Sequence, residues 1–146
     1  RDASSIKSDS FFILFKNSVS ITGKSTVLKI DKMNPNYLSY IGISYYHLDE
    51  KEIARKYLEK SKVESTHATK THNAVIDVYL TIINRNRYRE IENKIKLAYE
   101  EAIKCFDHQC QIYLLELLIE MQTKFEKWDK QRETQSLLYQ KMMEKR

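Results

Sequence analysis

Two glycines and one proline among 146 residues constrain this chain more than any other feature. Tight turns and β-hairpins draw on Gly for positive φ and on Pro for a fixed φ. A chain this poor in both lacks the turn chemistry of a β-rich fold. Few turns imply long helices. An apolar fraction of 42% provides for a core and a charged fraction of 31% for a solvated surface, which excludes simple disorder. The length suits one domain. The chain begins at Arg1 rather than Met and has no visible signal peptide. The expectation is one all-α domain over 1–146, cut from a longer protein.

The net charge of +5 is spread through segments such as EKEIARKYLEKSK and YREIENKIK, where acids and bases alternate. Such runs read as solvated helix faces. Arg85, Arg87 and Arg89 form the one local basic cluster, and a single Arg-rich turn reads as a solvated loop. Nucleic acid would therefore be reached only through a missing domain. The basic end, Lys141 to Arg146, suits the last turn of a helix. Cys105 and Cys110 stand five apart in a helical or helix-leaving segment, a spacing that does not bring two Cβ atoms together. They read as reduced thiols in a cytoplasmic protein. No apolar run reaches the 18 residues of a membrane span.

Periodicity then sets the elements. FFILF at 11–15 fits a buried strand or a buried helical turn equally well, and Ser25 or Thr26 can cap a short helix after it. In 35–62, Leu38, Ile41, Tyr45 and Leu48 form one apolar stripe, and Ile53, Ala54, Tyr57 and Leu58 form a second. Asp49 and Glu50 turn the chain between them, which makes a helical hairpin. A second hairpin over 69–106 has its turn at NRNR, with Ile91, Ile95, Ala98, Ala102 and Phe106 on its second stripe. A third unit covers 109–145. Its first helix is apolar almost all round, which predicts burial on several sides. Its last helix is polar, with Trp128, Leu137, Leu138 and Met142 as expected contacts, and would act as a cap.

Leu38-x2-Ile41-Gly42-x2-Tyr45 followed by Ala54-x3-Leu58 resembles the tetratricopeptide repeat (TPR) pattern. Gly42 and Ala54 are small where two helices would cross, and Tyr45 and Leu58 fill the space between. Leu38 stands in place of the family's aromatic and Thr66 in place of its closing Pro. The second hairpin fits by residue type, at a spacing about three residues longer than the 34-residue period. The resemblance implies antiparallel hairpins stacked as a right-handed solenoid. The degenerate repeats, the Asn-, Lys-, Ile- and Tyr-rich composition and the segment EMQTKFEKWDKQRETQSLLYQK also resemble the Rap and PlcR-type peptide-sensing regulators of Gram-positive bacteria and their phages. That resemblance implies a quorum-sensing or transcription-regulation module that takes a short peptide on its concave face.

In such a stack the first helix of each hairpin lines the groove. Asn offers a donor and an acceptor to a peptide backbone, and Tyr offers rigid apolar area with one hydroxyl. The resemblance thus implies Asn36, Tyr40, Tyr46, Asn73, Asp77 and Asn84 as peptide contacts. No Lys occupies the inward positions, so a chaperone carboxy-terminus is a poor ligand. Other constellations read as coincidence. Gly23-Lys24-Ser25-Thr26 lacks the phosphate-loop Gly, since Ser18 stands in its place. Cys105, His108 and Cys110 are three potential zinc ligands where a structural site needs four, and His67 and His72 stand apart from them. Glu116 and Glu120 read as a solvated stripe. The expectation is no catalytic residue, metal or cofactor. The leading function is a non-enzymatic module that binds a peptide or protein segment. The alternative is a structural or oligomerisation domain, such as a homodimer, burying FFILF and the apolar 112–121 helix against another copy.

Overall fold

In a computed structural model, residues 35–63 and 69–144 are described. The expectations for FFILF, for the Ser25 and Thr26 caps, for Gly23 to Thr26, and for Thr66 and His67 lie outside these residues. The described residues form six helices and no strand. These are α1 (Pro35–His47), α2 (Lys51–Ser61), α3 (Lys70–Asn84), α4 (Tyr88–Lys104), α5 (His108–Lys124) and α6 (Trp128–Glu144). The all-α expectation holds.

The chain reverses without glycine. Three residues join α1 to α2, α3 to α4, α4 to α5 and α5 to α6. The middle residue of each connection has positive φ: Asp49 at 63°, Asn86 at 50°, Phe106 at 55° and Glu126 at 56°. At Asp49, Phe106 and Glu126 the exit is a Schellman motif, in which the next amide reaches back to a carbonyl one turn inside the helix. Those bonds are Glu50 N–H to Tyr45 O (2.9 Å), Asp107 N–H to Ala102 O (2.9 Å) and Lys127 N–H to Gln122 O (2.7 Å). Asp107 also caps α5, its carboxylate accepting from the Cys110 amide at 3.0 Å. Pro35 opens α1, where its missing N–H costs nothing.

Two assignments change at these turns. Leu48 and Phe106 leave their helical stripes, because each lies beyond the last helical residue. Both are exposed, Phe106 at 90%.

Each helix packs on the next in chain order. The α1–α2 crossing is closest at Gly42, where an added Cβ would lie 2.8 Å from Leu58 Cγ and 3.1 Å from the Leu58 amide. Only a residue without a side chain fits there. Tyr45 stacks on Tyr57 beside this crossing, with centroids 5.7 Å apart. Tyrosines also join alternate helices. The rings of Tyr46 (α1) and Tyr79 (α3) meet edge-on at 5.6 Å, and the hydroxyls of Tyr79 and Tyr113 (α5) share a hydrogen bond. The core is mostly aliphatic, with Leu58, Val75, Ile76, Ile91, Ile95, Leu114 and Met121 all fully buried.

The third unit differs from its expected packing. The apolar α5 is buried as anticipated, against α4 and α6 of the same chain. No second copy is needed to cover it. On α6 the buried residue is Thr134, whereas Trp128, Leu137 and Met142 are exposed. As the last described helix, α6 meets the stack through one narrow line, with Leu138 half-buried and Tyr139, Met142 and Met143 exposed.

Candidate functional site

The six residues anticipated as peptide contacts do not share one surface. Asn36 is exposed in the first turn of α1, and its carbonyl accepts from Ser39 Oγ at 2.7 Å. Tyr40 is 1% exposed and belongs to the core, so it fills space between helices and lines no groove. Burial raises its hydroxyl pKa, with Tyr37 adding to the effect. Tyr46 is half-buried between the rings of His47 and Tyr79.

The remaining three are engaged by the chain itself. Asn73 Nδ2 donates to Val63 O at 2.8 Å, and its Oδ1 accepts from Val63 N–H at 3.2 Å. This is the two-sided grip on extended backbone that Asn was expected to give a ligand, applied to the α2–α3 connection. Asp77 pairs with Lys62 Nζ at 2.7 Å, and Asn84 Oδ1 accepts from Arg55 Nε at 2.6 Å. Asp77 and Asn84 line a polar depression of about 360 Å³ between α2 and α4, over α3, together with Lys62, Thr81, Arg85 and Lys94.

A second groove, of about 350 Å³, lies between α4 and α6 over α5. Its floor is Leu115, Leu118 and Gln122, and its walls include Ile95 and Tyr99 on α4 and Leu137 on α6. One end is fixed by a directional set of hydrogen bonds. Glu92 Oε2 accepts from Tyr88 Oη–H at 2.9 Å. Tyr88 has one proton, so its oxygen is the acceptor for Gln122 Nε2 at 3.3 Å. That fixes the amide of Gln122 and leaves Oε1 without a hydrogen-bond partner among the described residues. Gln122 is 1% exposed, and a buried unpaired acceptor costs about 1–3 kcal/mol. The Tyr88 hydroxyl is pushed up to about 12, first by burial; Gln122 pulls it down and Glu92 raises it. Lys130 on α6 also reaches Glu92, at 3.4 Å, and so ties the two walls at this end.

On the opposite side of α5, exposed Glu120 lies within electrostatic reach of Tyr46, His47, Tyr79 and Tyr113. Burial dominates each shift, raising the tyrosines and lowering His47. Glu120 adds to the former and opposes the latter. Tyr46 is the one anticipated contact on this face.

The other marked residues have local partners. Thr71 Oγ1 donates to Cys105 Sγ at 3.4 Å, and Cys110 is buried, which pushes its thiol pKa up. Among the described residues no three His, Cys, Asp or Glu side chains converge as metal ligands. Glu90 pairs with both Arg85 and Arg87, which reduces the basic cluster's field. No helix among the described residues is long and apolar enough to cross a membrane.

Sequence reasoning passed over Glu92, Tyr88 and Gln122. Their signal was Gln122, one of two glutamines on the buried side of the largely apolar α5, since a buried amide demands partners. Comparison with protein-family models, with curated proteins and with solved structures finds no match to this chain.

Proposed function

We propose that this is a non-enzymatic, TPR-like module that binds a peptide or protein segment in the α4–α6 groove. One observation carries the reading. The groove has an apolar floor, and at its end a buried acceptor is oriented by Glu92 and Tyr88 with nothing to receive. Buried polar groups are almost always paired, and an exception at a concave apolar surface marks a place for a ligand. The successive helical hairpins, the close crossing at Gly42 and the tyrosine contacts between alternate helices support the TPR-like part of the reading. In a peptide-sensing regulator, ligand would stabilise one curvature of the stack and alter the surface offered to an attached effector.

A second reading has its own observation. The side of α6 bearing Tyr139, Met142 and Met143 is exposed and apolar, as a self-association face would be. Light scattering separates the two, combined with thermal melting against pools of short aliphatic peptides. The receptor reading expects a constant mass, a melting temperature that rises with one pool, and loss of that rise in Leu137→Glu. A tight dimer indifferent to every pool transfers the function to assembly.

A further inference from the structure

We infer that the α4–α6 groove takes an aliphatic segment that brings an amide N–H to Gln122 Oε1. This rests on the receptor reading above and adds the chemistry of the ligand.

The hydrogen-bond direction comes from proton counting. The Glu92 carboxylate is an acceptor, so the Tyr88 proton goes to it. The lone pair left on Tyr88 takes an N–H of Gln122. A reversed amide would set Gln122 Oε1 against an oxygen with no proton left to give. The oxygen therefore faces away from Tyr88, on a residue that lines the groove. It can only accept, so the ligand must donate at that point.

The rest of the groove fixes the ligand's body. From Gln122 the floor runs through Leu118 to Leu115, about 10 Å along the helix. Ile95 and Leu137 flank it with aliphatic surface. The cations near the donor end are already engaged, since Lys130 and Lys96 both lie on Glu92. A neutral N–H suits this end, because Glu92, the acid bonded to Tyr88, already has three partners, whereas Glu100 and Glu133 line the groove without a bond to Tyr88 or Gln122. An extended or helical peptide segment with a Leu-like side chain beside a free backbone N–H meets all these conditions.

The test uses two probes that differ in that N–H alone, N-hexylacetamide and hexyl acetate. Each is titrated into the ¹⁵N-labelled protein, and affinity is read from shifts of α4, α5 and α6 amides. The expected result is a roughly tenfold preference for the amide, the size of one neutral hydrogen bond to a buried acceptor. In Gln122→Met the preference falls to parity while the melting temperature rises, because the variant removes the unpaired oxygen. Tyr88→Phe provides a second route that keeps the ring. It frees the Gln122 amide to turn, and the preference should shrink there too. Equal binding of both probes by the wild-type protein overturns the inference and leaves the groove as a receptor. Absence of shifts at the groove with either probe overturns both.

Discussion

The two grooves are built alike and differ in chemistry. Laying the first residue of α3, Lys70, on the first residue of α5, His108, puts Asp77 on Leu115, Leu80 on Leu118 and Asn84 on Gln122. The volumes are nearly equal, about 360 and 350 Å³. In the α2–α4 groove the polar floor residues are engaged from within, Asp77 by Lys62 and Asn84 by Arg55. In the α4–α6 groove the same register carries two leucines and an amide whose oxygen has no partner among the described residues. A polar floor that closes on its own chain holds neighbouring helices in place. An apolar floor with one oriented acceptor is the surface that the proposed ligand would meet. The difference lies in which side chains the chain has already used.

Exchanging the floors should break the comparison most sharply. Leu115→Asp puts a carboxylate where the side chain is 3% exposed, and the expected loss is about 3 kcal/mol or more in urea unfolding. The reciprocal Asp77→Leu removes a half-exposed ion pair and should change stability by less than about 1 kcal/mol. Equal effects from the two exchanges would mean that the grooves are not different in kind.

Asn73→Ala comes next. It removes both bonds to Val63, for an expected loss of about 1–2 kcal/mol. Faster amide exchange should be confined to the α2–α3 connection, with the α4–α6 groove unchanged. Exchange that quickened equally at α5 would show the two halves to be one cooperative unit.

The turns separate the halves as well. Asp49 and Asn86 belong to types that tolerate positive φ, whereas Phe106 and Glu126, which flank α5, do not. Phe106→Gly should stabilise the fold by about 1 kcal/mol, since the side chain it removes is 90% exposed. Asn86→Gly should move it by a few tenths. A destabilised Phe106→Gly would mean that the exposed ring makes contacts that outweigh its backbone strain.

Those turns also explain what the sequence could and could not convey. The stripes at Leu38, Ile41 and Tyr45 and at Ile91, Ile95 and Ala98 located helices, because burial on one face repeats with the helical period. Gly42 was legible too, since a small residue inside a helical stripe asks for a close crossing. Phe106 was not. Its apolar type continues the α4 stripe, and nothing about Phe signals a left-handed turn. The surroundings of the site residues were less legible, for a different reason. Asn73 has the chemistry expected of it, but the backbone it grips is Val63 of its own chain, and that pairing depends on how α2 meets α3. Tyr40 was placed on a groove by assuming which side of α1 faces outward, yet every residue from Leu38 to Ser44 is buried. Gln122 needed the positions of Tyr88 and Glu92, more than a helix away, before its free oxygen had meaning.

Acid should act on the α2–α3 side first, and this is the smallest of the expected effects. His72 Nε2 lies 2.9 Å from Ser61 O, next to the clasp that Asn73 makes with Val63. A carbonyl only accepts, so this nitrogen carries the proton in the neutral ring. Burial lowers the His72 pKa, and the bond to Ser61 opposes that shift without cancelling it. The unfolded ring titrates near its ordinary value of about 6.5. Below that pH the unfolded chain binds the proton more readily than the folded one, so stability falls as pH falls. The contribution is complete above about 6.5 and is lost progressively through the lower folded value. His47 has the same sign, with burial lowering it and Glu120 opposing. The melting temperature should therefore drop between pH 7.5 and 5, and His72→Gln should flatten that drop. Amide exchange at mild acid pH should rise around Ser61–Val63 and the first turn of α3 before it rises along α5. An unaltered pH slope in His72→Gln, or exchange that quickened first at the α4–α6 groove, would place the acid-sensitive joint elsewhere.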